Sequence, residues 1–236
     1  MLSGGLQGRV IAHGARFYEG VGVAGGVVLI LLDRSTWLHL TALGDSAVIL
    51  PCVALMVAWL LVSRATRGLA LGWLLAVCGV GGVVVGSKLL FMVWGIGLPG
   101  LDYTGLSGHS AMAALSWPTL LALLAGGARN GVRLLAVAVG MLLAAAIAWS
   151  RVALDAHSIP EIVLGWSLGA LASAAWLAWS WRAWKLPLRA WPLLLSLLLA
   201  LPWVYGQRFP SQQLLTRVAS SLAANGQLHL RAHLHH

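Results

Sequence analysis

Six stretches of this chain, 46–63, 68–87, 103–128, 134–150, 162–181 and 190–207, run for 17 to 26 residues without an Asp, Glu, Lys or Arg. An α-helix needs roughly 20 mainly apolar residues to cross the hydrocarbon of a bilayer, so each run has the length of a membrane span. With 60% hydrophobic and 9% charged residues and 13 Trp in 236, there is little polar surface with which to coat a water-soluble particle. A shorter run, 20–32, follows Phe17, Tyr18 and Glu19 and ends at Asp33 and Arg34. The expected fold is all-α, a polytopic membrane helical bundle of six core transmembrane helices with a shorter seventh. One helical domain, 17–206, is expected between an N-terminal segment, 1–16, and a C-terminal tail, 207–236. The first apolar run begins after about twenty polar and Gly-rich residues and has no small-x-small site beside it, so it is expected to stay in place as a span.

The formal net charge of +9 is unevenly distributed. If the N-terminus is cytoplasmic and the spans alternate, Arg9, Arg16, Arg64, Arg67, Arg129, Arg133, Arg182, Lys185 and Arg189 all fall inside. The outer connections then hold Arg34, Lys88 and Arg151 together with Asp33, Asp45, Asp102, Asp155 and Glu161. This is the positive-inside bias that orients membrane proteins. The positive charge is thus topogenic, and no nucleic-acid partner is needed to explain it. A bacterial plasma membrane is the expected location, with membrane lipids as neighbours; nothing in the pattern fixes an oligomeric state.

Cys52 and Cys78 both fall within apolar runs, where a small buried side chain is the ordinary reading. In the tail, Leu214, Leu215, Val218 and Leu222 recur at helical spacing with Gly226 as a stop, which suits an interfacial helix on the outer surface. His229, His233, His235 and His236 follow without a nearby Cys or carboxylate and read as a solvated tail rather than a metal site.

On this topology, Lys88 ends one span, His109 starts the next, Ser150 and Arg151 end a third, and His157 and Glu161 start a fourth, all at the outer face. Ionisable groups at the edge of the hydrocarbon are costly and mark function. Two cations, two histidines, one carboxylate and small backbone-exposing residues suit a tetrahedral anion. Ser107, Gly108 and Ser110 lie where a helix begins, and the amides of a first helical turn have no partner within the helix. Arg151 can grip phosphate oxygens in a fork, while Lys88 adds a compact point charge. His157 is then placed as the nucleophile and His109 as the acid that protonates the departing oxygen.

The stretch Ser107-Gly108-His109, followed about forty residues later by Ser150-Arg151 and His157, resembles the type 2 phosphatidic acid phosphatase (PAP2) superfamily of membrane lipid phosphatases. That family carries K-x6-R-P, P-S-G-H and S-R-x5-H-x3-D at the outer ends of its core helices, and the likeness covers roughly residues 85–180. Three positions depart from the pattern. Leu106 stands where the second signature has Pro, and Glu161 stands where the third has Asp. Lys88 is followed by LLFMVWGIGLPG, so the Arg-Pro of the first signature is absent.

The resemblance implies a metal-independent hydrolase with no cofactor. Lys88, Ser107, Gly108, Ser110, Ser150 and Arg151 would bind the substrate phosphate, His157 would attack phosphorus, Glu161 would hold the imidazole tautomer, and His109 would serve as acid and then base. The substrate would be a lipid phosphate or polyprenyl diphosphate, of the phosphatidic acid, phosphatidylglycerol phosphate, lipid A or undecaprenyl diphosphate type. The same residues suit a lipid phosphotransferase, and an anion site without turnover suits a lipid-phosphate binding or transport protein. Plainer roles exist too: Ser158 to Glu161 fits a capping box, and Lys88 and Arg151 fit interfacial side chains that reach for water.

Overall fold

The computed structural model describes residues 33–97, 102–181, 190–223 and 228–229. Two compact units divide the chain after Thr36. Of the first, residues 33–36 are described, and there the Ser35 hydroxyl donates to Asp33 at 2.7 Å. All regular structure among the described residues is helical: α1 (Arg34–Ala42), α2 (Ser46–Val62), a 3-10 turn (Arg64–Thr66), α3 (Arg67–Trp94), α4 (Gly108–Leu124), α5 (Asn130–Ala153), α6 (Ile159–Ser180), α7 (Trp191–Val204) and α8 (Ser211–Leu222).

Four stretches among them, Arg34–Val62, Arg64–Trp94, Asn130–Ala153 and Ile159–Ser180, are long and apolar enough to cross a membrane. Large apolar side chains such as Leu75 on α3, Leu142 on α5 and Leu171 on α6 are exposed, as befits a protein whose solvent is lipid. Helices α4, with 17 residues, and α7, with 14, are not among these four, so the described residues do not confirm the expected count of six spans plus a seventh. The run 20–32 lies outside the described residues. The charge-free run 103–128 counted as one span, but the helix within it starts only at Gly108, where Ser107 caps it, and ends at Leu124.

Helix α4 forms the centre. Nearly every side chain from Ser110 to Leu123 is buried, many of them alanine, and α5 and α6 lie against it. Glycines on the partner helices permit this approach. Gly140 of α5 rests on the backbone at Pro118, and on α6 Gly165 and Gly169 rest on Ser107 and Ala111. A polar pair, Thr119 and Ser173 at 3.0 Å, ties α4 to α6 within the core. Trp176 of α6 meets Trp73 of α3 edge-on at 5.4 Å and donates to the Leu69 carbonyl at 3.2 Å. Cys52 is buried in this core, whereas Cys78 is exposed on α3. At the far end, Arg133 is buried with its guanidinium 3.8 Å over the Trp181 ring.

A Cβ at residue 169 would collide with the Ala111 carbonyl oxygen, which is backbone and cannot swing aside. Gly169→Val is therefore expected to part α4 from α6. Overpacking costs about 1–3 kcal/mol where side chains can adjust, and a backbone clash exceeds that. Thermal melting in detergent should show a transition lowered by ten degrees or more or lost, as about 1 kcal/mol already moves a domain of this size by roughly 2–4 °C.

Two segments differ from expectation. Residues 33–45 read as an outer loop, yet α1 occupies most of it, and Trp117 Nε1–H donates to the Leu43 carbonyl at 3.2 Å to hold the turn against the bundle. The amphipathic tail helix exists as α8, but it divides its apolar residues between two faces. Leu215 and Ala219 pack on Phe91 and Met92 of α3, while Leu214, Val218 and Leu222 remain exposed. The expected stop, Gly226, and the histidines beyond 229 lie outside the described residues.

Candidate functional site

The candidate residues meet at one end of the bundle because four chain segments bring them there. Helix α3 brings Lys88, α4 begins with Gly108 and His109, α5 ends just after Arg151, and the α5–α6 turn holds His157. A cavity of about 620 Å³ is lined by Lys88, Gly108, His109, Arg151 and His157, with Thr104 from the preceding loop. Its apolar wall includes Ile49 and Leu50 of α2 and Val84 and Val85 of α3.

The spacing of Arg151 and His157 has a backbone cause. Asp155 takes a left-handed φ of 52°, a conformation Asp tolerates better than most residues. The turn lets both Ala156 N–H and His157 N–H donate to the Arg151 carbonyl, at 2.9 and 3.2 Å. The imidazole is thus fixed relative to the helix that carries the guanidinium.

Glu161 is fully buried and sits at the hub of the site. Its Oε2 lies 2.6 Å from His157 Nδ1 and accepts from Ser158 N–H at 3.2 Å. Its Oε1 accepts from Thr104 N–H at 2.6 Å and from the Thr104 hydroxyl at 2.7 Å. An ionised carboxylate can only accept, so His157 Nδ1 donates to it, and in the neutral ring Nε2 then carries the lone pair. The capping role and the orienting role of Glu161 coexist in one carboxylate. The His157 side chain is 11% exposed. Burial pushes its pKa below the usual histidine range, opposed by the hydrogen bond and charge of Glu161.

The loop 102–107 binds this hub to Lys88. Gly105, at φ 124°, crosses the Lys88 backbone so closely that a Cβ would stand 3.0 Å from Lys88 Cα. Next to it, Leu106 N–H donates to Ser87 Oγ at 3.0 Å, and Ser107 N–H donates to the Glu161 carbonyl at 3.1 Å. Proline at 106, as the second signature has it, would offer no such donor.

Two further groups were not legible in the sequence. Asp45 Oδ2 lies 3.6 Å from His109 Nε2, while Oδ1 caps α2 by accepting from Ala47 N–H at 2.8 Å. Thr41 Oγ1 accepts from Arg151 Nη1 at 2.9 Å. Arg151 Nε, also buried, has no hydrogen-bond partner among the described residues. A buried donor left unmatched costs roughly 1–3 kcal/mol and more on a charged group.

Not every candidate reaches the cavity. Ser107, Ser110 and Ser150 are fully buried and their hydrogen bonds are made inside the protein. The Ser110 hydroxyl donates to Ser107 Oγ at 2.9 Å, Ser110 N–H donates to the same oxygen at 3.4 Å, and the Ser150 hydroxyl donates to the Ile147 carbonyl at 2.6 Å. Of the expected amide cradle, Gly108 and His109 face the cavity. His229, read as part of a solvated tail, instead lies against α3 and borders the cavity, its backbone N–H donating to the Met92 carbonyl at 2.9 Å.

Comparison with known proteins shows the family. The PAP2 superfamily profile matches residues 95–185, which hold both histidines, Arg151 and Glu161. A Klebsiella pneumoniae protein described as an uncharacterized 22.5 kDa protein in the cps region is 43% identical over 141 residues, covering 60% of this chain and 68% of that protein. No solved structure matches the chain. With its profile match over the histidine-bearing helices and so similar a relative, the chain belongs to the PAP2 superfamily.

Proposed function

We propose that this protein is a membrane lipid phosphatase that removes phosphate from a lipid phosphomonoester or diphosphate through a phosphohistidine on His157. One observation carries the reading: Lys88, His109, Arg151 and His157 border a single cavity whose other wall is apolar and includes Leu50 and Val85, 44% and 41% exposed where lipid would lie. Such a cavity suits a molecule that is anionic at one end and greasy at the other. PAP2 membership supports a phosphatase-type activity.

In the first step His157 Nε2 attacks phosphorus in line, the bond from phosphorus to the departing lipid oxygen breaks, and His109 gives that oxygen a proton. Water then attacks the phosphohistidine, its proton passes to His109, and phosphate leaves with His157 restored. Lys88, Arg151 and the amides at Gly108 and His109 stabilise the charge on the equatorial oxygens, which is where catalysis of phosphoryl transfer is concentrated. Fixed cations make a metal ion unnecessary in this scheme. The basic residues Arg64, Arg67 and Arg129 mark the opposite end of the bundle, which supports a site at the outer face of a bacterial plasma membrane.

The test is phosphate release by purified protein in detergent, offered phosphatidic acid, phosphatidylglycerol phosphate, lipid A and undecaprenyl diphosphate in turn. Release from at least one identifies the substrate class. Silence on all four, with lipid phosphate still bound, overturns the phosphatase reading in favour of a transferase or a binding protein. Arg151→Lys is expected to raise KM about tenfold or more, because an ammonium cannot keep the Thr41 contact and fork onto phosphate together. An unchanged KM would remove Arg151 from the phosphate site.

A further inference from the structure

Among the described residues after α7, Ser211, Gln212, Leu215 and His229 border the cavity, and several contacts pin this part of the chain to the bundle. The Tyr205 hydroxyl donates to the His39 carbonyl at 3.2 Å, and Phe209 N–H donates to Asp45 Oδ1 at 3.2 Å. Helix α8 then packs Leu215 and Ala219 on Phe91 and Met92, and the His229 backbone is tied to Met92. Two of these anchors belong to the site's own framework, since Asp45 contacts His109 and Met92 stands one turn beyond Lys88 on α3.

The last anchor sets the His229 ring over Gly95, the residue that ends α3 with a left-handed φ of 66°. A Cβ on Gly95 would lie 3.0 Å from ring atom Cε1, 3.1 Å from Nδ1 and 3.2 Å from Nε2, so the ring uses space that a side chain there would need. Held in this way, and still exposed, the imidazole borders the cavity that Lys88, His109, Arg151 and His157 also line. In either protonation state an imidazole has an N–H to donate. Gly95 also occupies the place, seven positions after Lys88, at which the first signature would carry its Arg.

We propose that His229 is a phosphate-binding residue of this site, carried to the rim of the cavity by the C-terminal arm and set over Gly95. This rests on the reading of the cavity as a phosphate site. It assigns the arm a part in substrate recognition and supplies a donor near the position where the family's arginine is missing.

Binding of inorganic phosphate to the full chain in detergent, followed by 31P line broadening, tests the assignment, together with KM for short-chain phosphatidic acid. His229→Phe keeps a ring over Gly95 and removes both nitrogens, while His229→Gln retains an N–H donor. The Phe variant is expected to bind phosphate about tenfold more weakly, a typical loss for a hydrogen bond to a charged group, and to raise KM more than it lowers kcat. The Gln variant should recover most of the affinity. Equal phosphate affinity in His229→Phe and wild type overturns the assignment, and leaves the phosphatase reading intact if wild type still releases phosphate. Weakened binding in His229→Phe, in a protein that releases phosphate from no lipid, keeps the assignment and removes the phosphatase reading. A wild-type protein that binds no phosphate sinks both.

Discussion

Replacing His157 with alanine is expected to abolish phosphate release, by at least about 10⁴-fold, while the protein stays folded. The imidazole borders the cavity and, among the described residues, its hydrogen bond is to Glu161, so its removal takes no packing from the α4–α5–α6 core. The loss should be larger than that for any phosphate-binding residue, because His157 is the group assigned to form the bond to phosphorus. Two readouts make the result specific. Brief incubation of wild type with a 32P-labelled lipid phosphate should leave an acid-labile, base-stable label on the protein that is absent from the alanine variant. Excess chelator should leave the wild-type rate unchanged; strict dependence on a divalent metal would overturn the metal-independent mechanism. Retained activity in His157→Ala would displace the nucleophile altogether.

Glu161→Gln should be nearly as damaging. Both carboxylate oxygens face donors: Thr104 N–H and its hydroxyl on one side, His157 Nδ1 and Ser158 N–H on the other. A glutamine must turn its NH2 toward one pair. Turned to His157, it makes Nδ1 an acceptor, moves the ring proton to Nε2 and takes away the nucleophilic lone pair. Turned to Thr104, it breaks the loop that crosses Lys88. A fall in kcat of about 10³-fold is expected, with a loss of stability near 1–3 kcal/mol from the mismatched buried donors.

The pH profile separates positioning from simple damage. His157 must be neutral to attack, so activity rises as pH rises through its pKa, which burial holds below the usual histidine range while Glu161 pulls it upward. Loss of the carboxylate removes the upward pull, and the acid limb of kcat/KM should move to lower pH even as the rate falls. Glu161→Asp, which restores the residue of the family signature, should keep a large part of the activity and return the limb toward wild type. An acid limb unmoved in Glu161→Gln would mean that the carboxylate does not act on His157.

Much of this site was legible because its residues sit at the ends of long apolar runs. Lys88, His109, Arg151, His157 and Glu161 are ionisable groups where lipid makes them expensive, and the period between Arg151 and His157 is set by one local turn. Asp45 and Thr41 gave no such signal. Each reaches its partner from a distant part of the chain, and an acid before a helix reads as a cap whether or not a histidine lies across from it. Ser107 and Ser150 read as phosphate ligands from their place in the signatures and Ser110 from its place in the first turn of a helix; all three side chains are buried, where they finish hydrogen bonds of the scaffold. The extent of α4 was hidden for a similar reason. The loop 102–107 bears no charge after Asp102, so a hydropathy pattern merges it with the helix it precedes. His229 was illegible because a histidine-rich end has no periodicity, and its place depends on α8 finding Phe91 and Met92 at the end of another helix.

The hydrogen bond from Leu106 N–H to Ser87 Oγ joins a departure from the family pattern to a residue that no signature mentions. A proline at 106 would stiffen the approach to the Ser107 turn by its ring, whereas this chain stiffens it by a cross-link to α3. Ser87 in turn donates to the Val84 carbonyl at 2.8 Å, so the cross-link is anchored in α3 itself. Positions 87 and 106 are therefore expected to vary together: an alignment of relatives should show a side-chain acceptor at 87 wherever 106 is not proline.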